Sequence, residues 1–97
     1  LTPQEKIDSA KNIVQEVIIL MKENDERNWI RAFSQMLDAL EGKNASTEEA
    51  ASILKHIYGG AGSYSDFYIA KNNREEQKRI NKHLSDLNDM LWHLLCE

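Results

Sequence analysis

Ile57-Tyr58-Gly59-Gly60-Ala61-Gly62-Ser63-Tyr64-Ser65-Asp66-Phe67-Tyr68-Ile69 is the stretch that interrupts an otherwise helical reading of this chain. Three of the four glycines fall within four residues here, and two tyrosines and a phenylalanine follow at once. Glycine reaches positive φ without steric cost, so the cluster marks a sharp change of direction. Gly59 is placed as the residue just past a helix end, where a left-handed conformation satisfies orphan carbonyls. Ser63 and Asp66 have the S-x-x-D spacing of a new helix start, with Ser63 as N-cap. Tyr64, Phe67 and Tyr68 would then share one face of a short helix. The expectation is a helix, a rigid turn built on Gly59, Gly62 and Ser63, and a short aromatic helix.

Outward from this stretch, apolar residues recur at helical spacing. Thr2-Pro3-Gln4-Glu5 is a capping box with proline at the first helical position. Ile7, Ala10, Val14, Val17, Ile18 and Met21 carry a first helix to about Lys22 or Glu23. Asn24-Asp25-Glu26 is a polar break with N-cap candidates for a second helix bearing Trp29, Ile30, Phe33, Met36, Leu37 and Leu40, stopped by Gly42. Ser46 opens a third helix through Ala50, Ile53, Leu54 and Ile57, ending at Tyr58. Asn73 opens a last one through Ile80, Leu84, Leu87 and Leu91, nearly to Cys96. The fold class expected is all-α: one domain over residues 1–97, a compact bundle of four main helices plus one short helix after the glycine-rich turn.

The run Tyr58-Gly59-Gly60-Ala61-Gly62-Ser63-Tyr64-Ser65-Asp66 resembles the YGGxGS-aromatic-x-D signature of a small bacterial helical domain family. Domains similar to it occur among immunity proteins of contact-dependent growth inhibition and polymorphic-toxin systems. The resemblance covers this run and the helix leading into it. It implies a cytoplasmic protein that binds and neutralises a cognate toxin by covering its active site, and it assigns no catalytic residue.

Composition bounds the alternatives. The 97 residues are 41% hydrophobic and 29% charged, as in an ordinary globular domain. No apolar run approaches a membrane span, and no signal-peptide pattern opens the chain. The chain begins at Leu1 rather than Met, so a few preceding residues are to be expected. Cys96 is the single cysteine, which excludes an internal disulfide and fits a reducing cytosol. The net charge of −4 argues against direct nucleic-acid binding and suits a basic protein partner. Residues 1–41 hold eight acidic and five basic groups, so most of the acidity lies in the first two helices.

Catalytic and metal-binding patterns are incomplete. No Lys-Ser or Lys-Thr follows Gly62, as a phosphate-binding P-loop requires. His83 and His93 lie about 15 Å apart along one helix, too far to share an ion. Asp89 and His93 supply two ligands at most. Arg79 and His83 stand one residue short of the Arg–His spacing of small helical toxin-type RNases. Glu48-Glu49 and Glu75-Glu76 sit in first turns, where the helix dipole explains them without the magnesium of nucleotide pyrophosphohydrolases. No enzyme, cofactor or metal is therefore expected. The open alternatives are a small helical RNase or nucleotide hydrolase, and an oligomerising structural domain.

Trp29, Tyr64, Tyr68 and Trp92 exceed what a narrow helical core needs, and such residues are enriched at interfaces. Rigid loops on helical scaffolds carry recognition. The expected partner surface therefore lies beside the glycine turn at Tyr64, Asp66 and Tyr68, with Glu23, Asp25 and Glu26 steering a basic partner.

Overall fold

The computed structural model describes residues 1–59 and 63–97. Four α-helices account for most of them: α1 (Pro3–Glu23), α2 (Ile30–Ala39), α3 (Thr47–Ile57) and α4 (Arg74–Cys96). No strand occurs among the described residues, so the all-α expectation holds. The principal pairings are α1 with α2, α2 with α3, α3 with α4 and α4 with α1, which closes a ring around the core. Among the described residues no helix is long and apolar enough to cross a membrane.

Three of the four helix starts follow their capping residues. Thr2 Oγ1 accepts from the Glu5 N–H at 3.1 Å, and Glu5 Oε1 accepts from the Thr2 N–H at 3.0 Å. The Thr2 N–H donated to the Glu5 carboxylate, with a smaller contribution from the Thr2 side chain, holds that carboxyl below its ordinary value. Ser46 Oγ accepts from Glu49 N–H at 3.0 Å and Asn73 Oδ1 from Glu76 N–H at 3.0 Å. Each of these bonds satisfies a donor that the helix leaves orphaned.

The second start departs from expectation. Trp29 occupies the N-cap of α2 and makes no side-chain cap bond. Asn24, Asp25 and Glu26 instead terminate α1. Asn24 Nδ2 donates to Leu20 O at 2.8 Å, Asp25 N–H to Lys22 O at 3.3 Å, and Glu26 N–H to Met21 O at 2.9 Å. The last two bonds, with Asp25 at φ 56°, form a Schellman motif in which Asp25 is the left-handed residue. Asp25→Gly should raise stability by up to about 1 kcal/mol, and Asp25→Val should lower it by about 1–2 kcal/mol. Thermal melting of both variants checks this, and equal melting temperatures would contradict it.

The core follows the predicted stripes: Val14, Val17 and Met21 of α1, Phe33 and Met36 of α2, Ala50 and Leu54 of α3, and Leu84, Leu87 and Leu91 of α4 are buried. The helices are unequal in length. At 1.5 Å rise, the 23 residues of α4 span about 35 Å and the 11 of α3 about 16 Å. The first turns of α4 are covered by the chain between the glycine turn and α4 itself.

Candidate functional site

Tyr58 caps the C-terminus of α3 in a right-handed conformation, and Gly59 follows it with its N–H on His56 O at 3.4 Å. Gly59 is not at positive φ, and an added Cβ would meet His56 O at an ordinary 3.7 Å. The expected left-handed requirement at Gly59 is therefore absent. The helix ends through a right-handed Tyr58, which does not call for it. Gly62 lies outside the described residues. Gly42, after α2, does adopt φ +80°.

The expected short helix is a single 3-10 turn, Tyr64–Asp66. Ser63 makes no side-chain cap bond. Its hydroxyl lies 2.7 Å from Ser65 Oγ and donates to Tyr58 O at 3.5 Å, which ties the turn back to α3. Asp66 N–H is satisfied by the Ser63 carbonyl at 3.0 Å. Phe67 is already extended, at φ −74° and ψ 136°, so Tyr64, Phe67 and Tyr68 do not share a helical face.

Tyr64 points inward and is 2% exposed. Its ring meets Trp29 at 5.4 Å, Phe33 at 5.1 Å, Tyr58 at 5.4 Å and Phe67 at 5.5 Å, and Tyr58 meets Trp92 at 5.2 Å. The Tyr64 hydroxyl donates to Asn88 Oδ1 at 2.8 Å. Burial pushes its phenol well above the ordinary range and that of Tyr58 up to about 12, with Asp89 adding to the latter. Tyr64 is thus the anchor of an aromatic cluster and has no ring surface for a partner. Trp29 and Trp92 are half-buried in the same cluster.

Tyr68 is the opposite case, 63% exposed. It belongs to a strap, residues 67–71, that crosses the first turns of α4. Asn81 holds the middle of the strap with both ends of its amide: Oδ1 accepts from Ile69 N–H and Nδ2 donates to Ile69 O, each at 2.7 Å. Asn81 Nδ2 also reaches Gln77 O at 2.8 Å, and Gln77 Oε1 accepts from Lys71 N–H at 2.8 Å. The Ile69 side chain is buried beneath, at 3% exposure. Tyr68 lines an open cleft with Arg74, Glu75, Gln77, Lys78 and Asn81.

The acidic set stands differently. Glu23 and Asp25 are exposed and Glu26 is half-buried, its Oε1 accepting from Asn28 N–H at 2.6 Å. Asp25 and Glu26 share their surface with Lys22, Arg27 and Ile30, so the junction mixes both signs. The residues around Tyr68 bring no member of that set to it. Asp66 is exposed on the turn. On α4, Lys82 pairs with Asp86 at 3.1 Å, and His93 Nδ1 pairs with Glu97, which raises the His93 pKa. Partial burial raises the Cys96 thiol, the reverse of an activated nucleophile.

Sequence reasoning missed Gln77, Asn81 and Asn88. A signal was present: three uncharged amides at helical spacing on a helix whose outer face is otherwise densely charged. All three are half-buried beside the apolar stripe, and each bonds to the segment laid over α4 or to the Tyr64 hydroxyl.

These features define a small helical-bundle domain whose irregular segment is pinned to the scaffold and presents one aromatic side chain. The chain belongs to the family described as a domain of unknown function (DUF6966), which it matches over residues 22–77. That match covers more than half of the chain, from the last turn of α1 to the first turn of α4. Comparison with curated proteins and with solved structures returns no match.

Proposed function

We propose that this chain is a protein-binding domain and, in the sharper form implied by the Tyr58–Asp66 signature, a cytoplasmic immunity protein. It neutralises a cognate bacterial toxin, most simply a nuclease with a basic cleft, by covering its active site. The observation that carries the binding reading is Tyr68: a large aromatic side chain, 63% exposed, on a strap fixed by Asn81 and Gln77. Tyrosine is an efficient interface anchor because it offers apolar area and a hydroxyl at low entropic cost. Fixing the strap in advance lowers the ordering cost of association. The acidity of α1 and α2 supports attraction to a basic partner, with Glu23 and Asp25 as its exposed contributors at the junction.

The test is complex formation with the toxin domain encoded beside this chain's gene, and rescue of cells producing that domain. Tyr68→Ala should speed dissociation by about tenfold or more with an unchanged melting temperature. Glu23→Lys should slow association at low salt and leave dissociation nearly unchanged. Absence of any complex or rescue would sink the immunity reading. A complex indifferent to Tyr68→Ala would move the interface elsewhere on the bundle.

One observation favours a second reading, a small helical RNase. Lys78, Arg79, Lys82 and His83 line one cleft with Glu75 and Asp86. On the binding reading, purified protein with RNA and magnesium should show no turnover. Turnover abolished by Arg79→Ala or His83→Ala would reverse the order of the two.

A further inference from the structure

The strap carries an open backbone edge. Asn81 meets the N–H and the carbonyl of Ile69 together, and Gln77 meets the N–H of Lys71. An extended chain turns the backbone groups of alternate residues to alternate sides. Ile69 and Lys71 therefore face α4, and Tyr68 and Ala70 face away from it. Both of these residues are exposed, and neither makes a backbone hydrogen bond among the described residues. The edge offers two donor–acceptor pairs about 7 Å apart, the repeat that an added strand presents.

The charges beside this edge are of one sign in excess. Arg74 and Lys78 line the Tyr68 cleft with only Glu75 as an acid, and Lys71 follows on the strap. None of these three cations has a carboxylate within ion-pairing distance among the described residues. This is a positive spot on a protein of net charge −4. Two copies joined edge to edge would set these cations against one another, which disfavours self-pairing. A nucleic-acid strand would satisfy the cations and leave the amide–carbonyl edge without a matching partner.

We propose that the Tyr68–Ala70 edge docks an extended acidic peptide segment of a partner protein by backbone pairing. The cations hold the acidic side chains, and Tyr68 packs across the added strand. This rests on the protein-binding reading and adds a contact that a basic toxin cleft would not by itself supply. The strap is ready for it, since Asn81 and Gln77 already hold the inner edge and leave the outer one open.

The experiment is fluorescence anisotropy of the full chain with a labelled nonapeptide of alternating Glu and Val. Saturable binding is expected, weakened about tenfold by Arg74→Glu with Lys78→Glu and weakened by salt. Ala70→Pro removes one outer donor and should weaken binding about tenfold, with helical circular dichroism unchanged. Peptides N-methylated at every Val, or at every Glu, should separate: one register abolishes binding and the other keeps it. That arm leaves the protein unaltered and decides the matter if Ala70→Pro melts. No binding, equal binding by both methylated peptides, or equal binding by a Lys–Val peptide would overturn the proposal. Tighter binding of an oligouridylate would assign the edge to nucleic acid, and dimerisation at these concentrations would assign it to a second copy; either overturns it. Peptide failure with a surviving toxin-domain complex removes the edge alone, and loss of both removes the protein-binding reading.

Discussion

Tyr64→Ala should cost about 3–5 kcal/mol, the range for deleting a fully buried large aromatic side chain. The ring is 2% exposed and touches Trp29, Phe33, Tyr58 and Phe67. Its removal leaves a void bordered by residues of α2, α3 and the strap at once. Domains of this size hold about 5–15 kcal/mol in total, so the variant stands near its unfolding threshold. Urea unfolding should show the midpoint falling by about 2 M or more at an m-value of about 1–1.5 kcal/mol/M. Tyr64→Phe separates the ring from its hydroxyl. It should cost only about 1 kcal/mol, because Asn88 is half-buried and water can replace the lost donor. A midpoint shift below about 0.5 M for Tyr64→Ala would show that the ring is not the anchor.

The same cluster sets an alkaline limit. Burial raises the phenols of Tyr58 and Tyr64 in the folded state, so the fold holds their protons more tightly than the unfolded chain does. The associated stability is complete below the unfolded value of about 10 and is lost as pH rises through about 12, the folded value of Tyr58. Phenolate absorbance from these two residues should therefore rise together with loss of helical signal. Phenolate formation from both with the helices intact would contradict the buried placement.

Asn81→Ala should release the strap. It deletes two bonds to Ile69 and one to Gln77, all near 2.7–2.8 Å, and leaves partly buried backbone groups without partners. The expected cost is about 2–4 kcal/mol, since each stranded group costs about 1–3 kcal/mol and water recovers some of it. The effect should be local. Amide hydrogen exchange at Ile69 should accelerate about 100-fold or more, while α1 and α2 amides change far less. Asn81→Asp keeps the acceptor for Ile69 N–H but sets a carboxylate oxygen against Ile69 O, and it should not restore protection. Uniform acceleration across all helices would show that the strap and the bundle unfold as one unit.

Thr2, Ser46 and Asn73 mark helix starts in the sequence because a cap reaches only three residues along its own chain. The buried faces of α1 and α4 are legible for a similar reason: 3.6-residue periodicity places Val14, Val17 and Met21, or Leu84, Leu87 and Leu91, on one side without knowledge of the neighbour. Local spacing failed where two local solutions competed. Asn24-Asp25-Glu26 serves equally as the start of α2 or the end of α1, and the left-handed Asp25 resolves it toward the end. Ser63 and Asp66 have the spacing of a helix start, yet an α-helix continuing through Phe67 and Tyr68 could not lay an extended edge along Gln77 and Asn81.

The candidate surface was legible only in part. That Tyr64 is covered and Tyr68 is open follows from Trp29 and Phe33, more than thirty residues away in sequence, and from Asn88 on another helix. Neither fact is contained in the local pattern Tyr-Ser-Asp-Phe-Tyr. The charge beside Tyr68 is likewise decided by α4, whose Arg74 and Lys78 reach the cleft while the acidic α1–α2 junction does not. The sequence by itself determined the helices, their buried stripes and most of their ends, because these depend on groups within a turn of one another. Only the tertiary structure decided which aromatic anchors the core and which faces a partner, because that choice belongs to the elements packed against the strap.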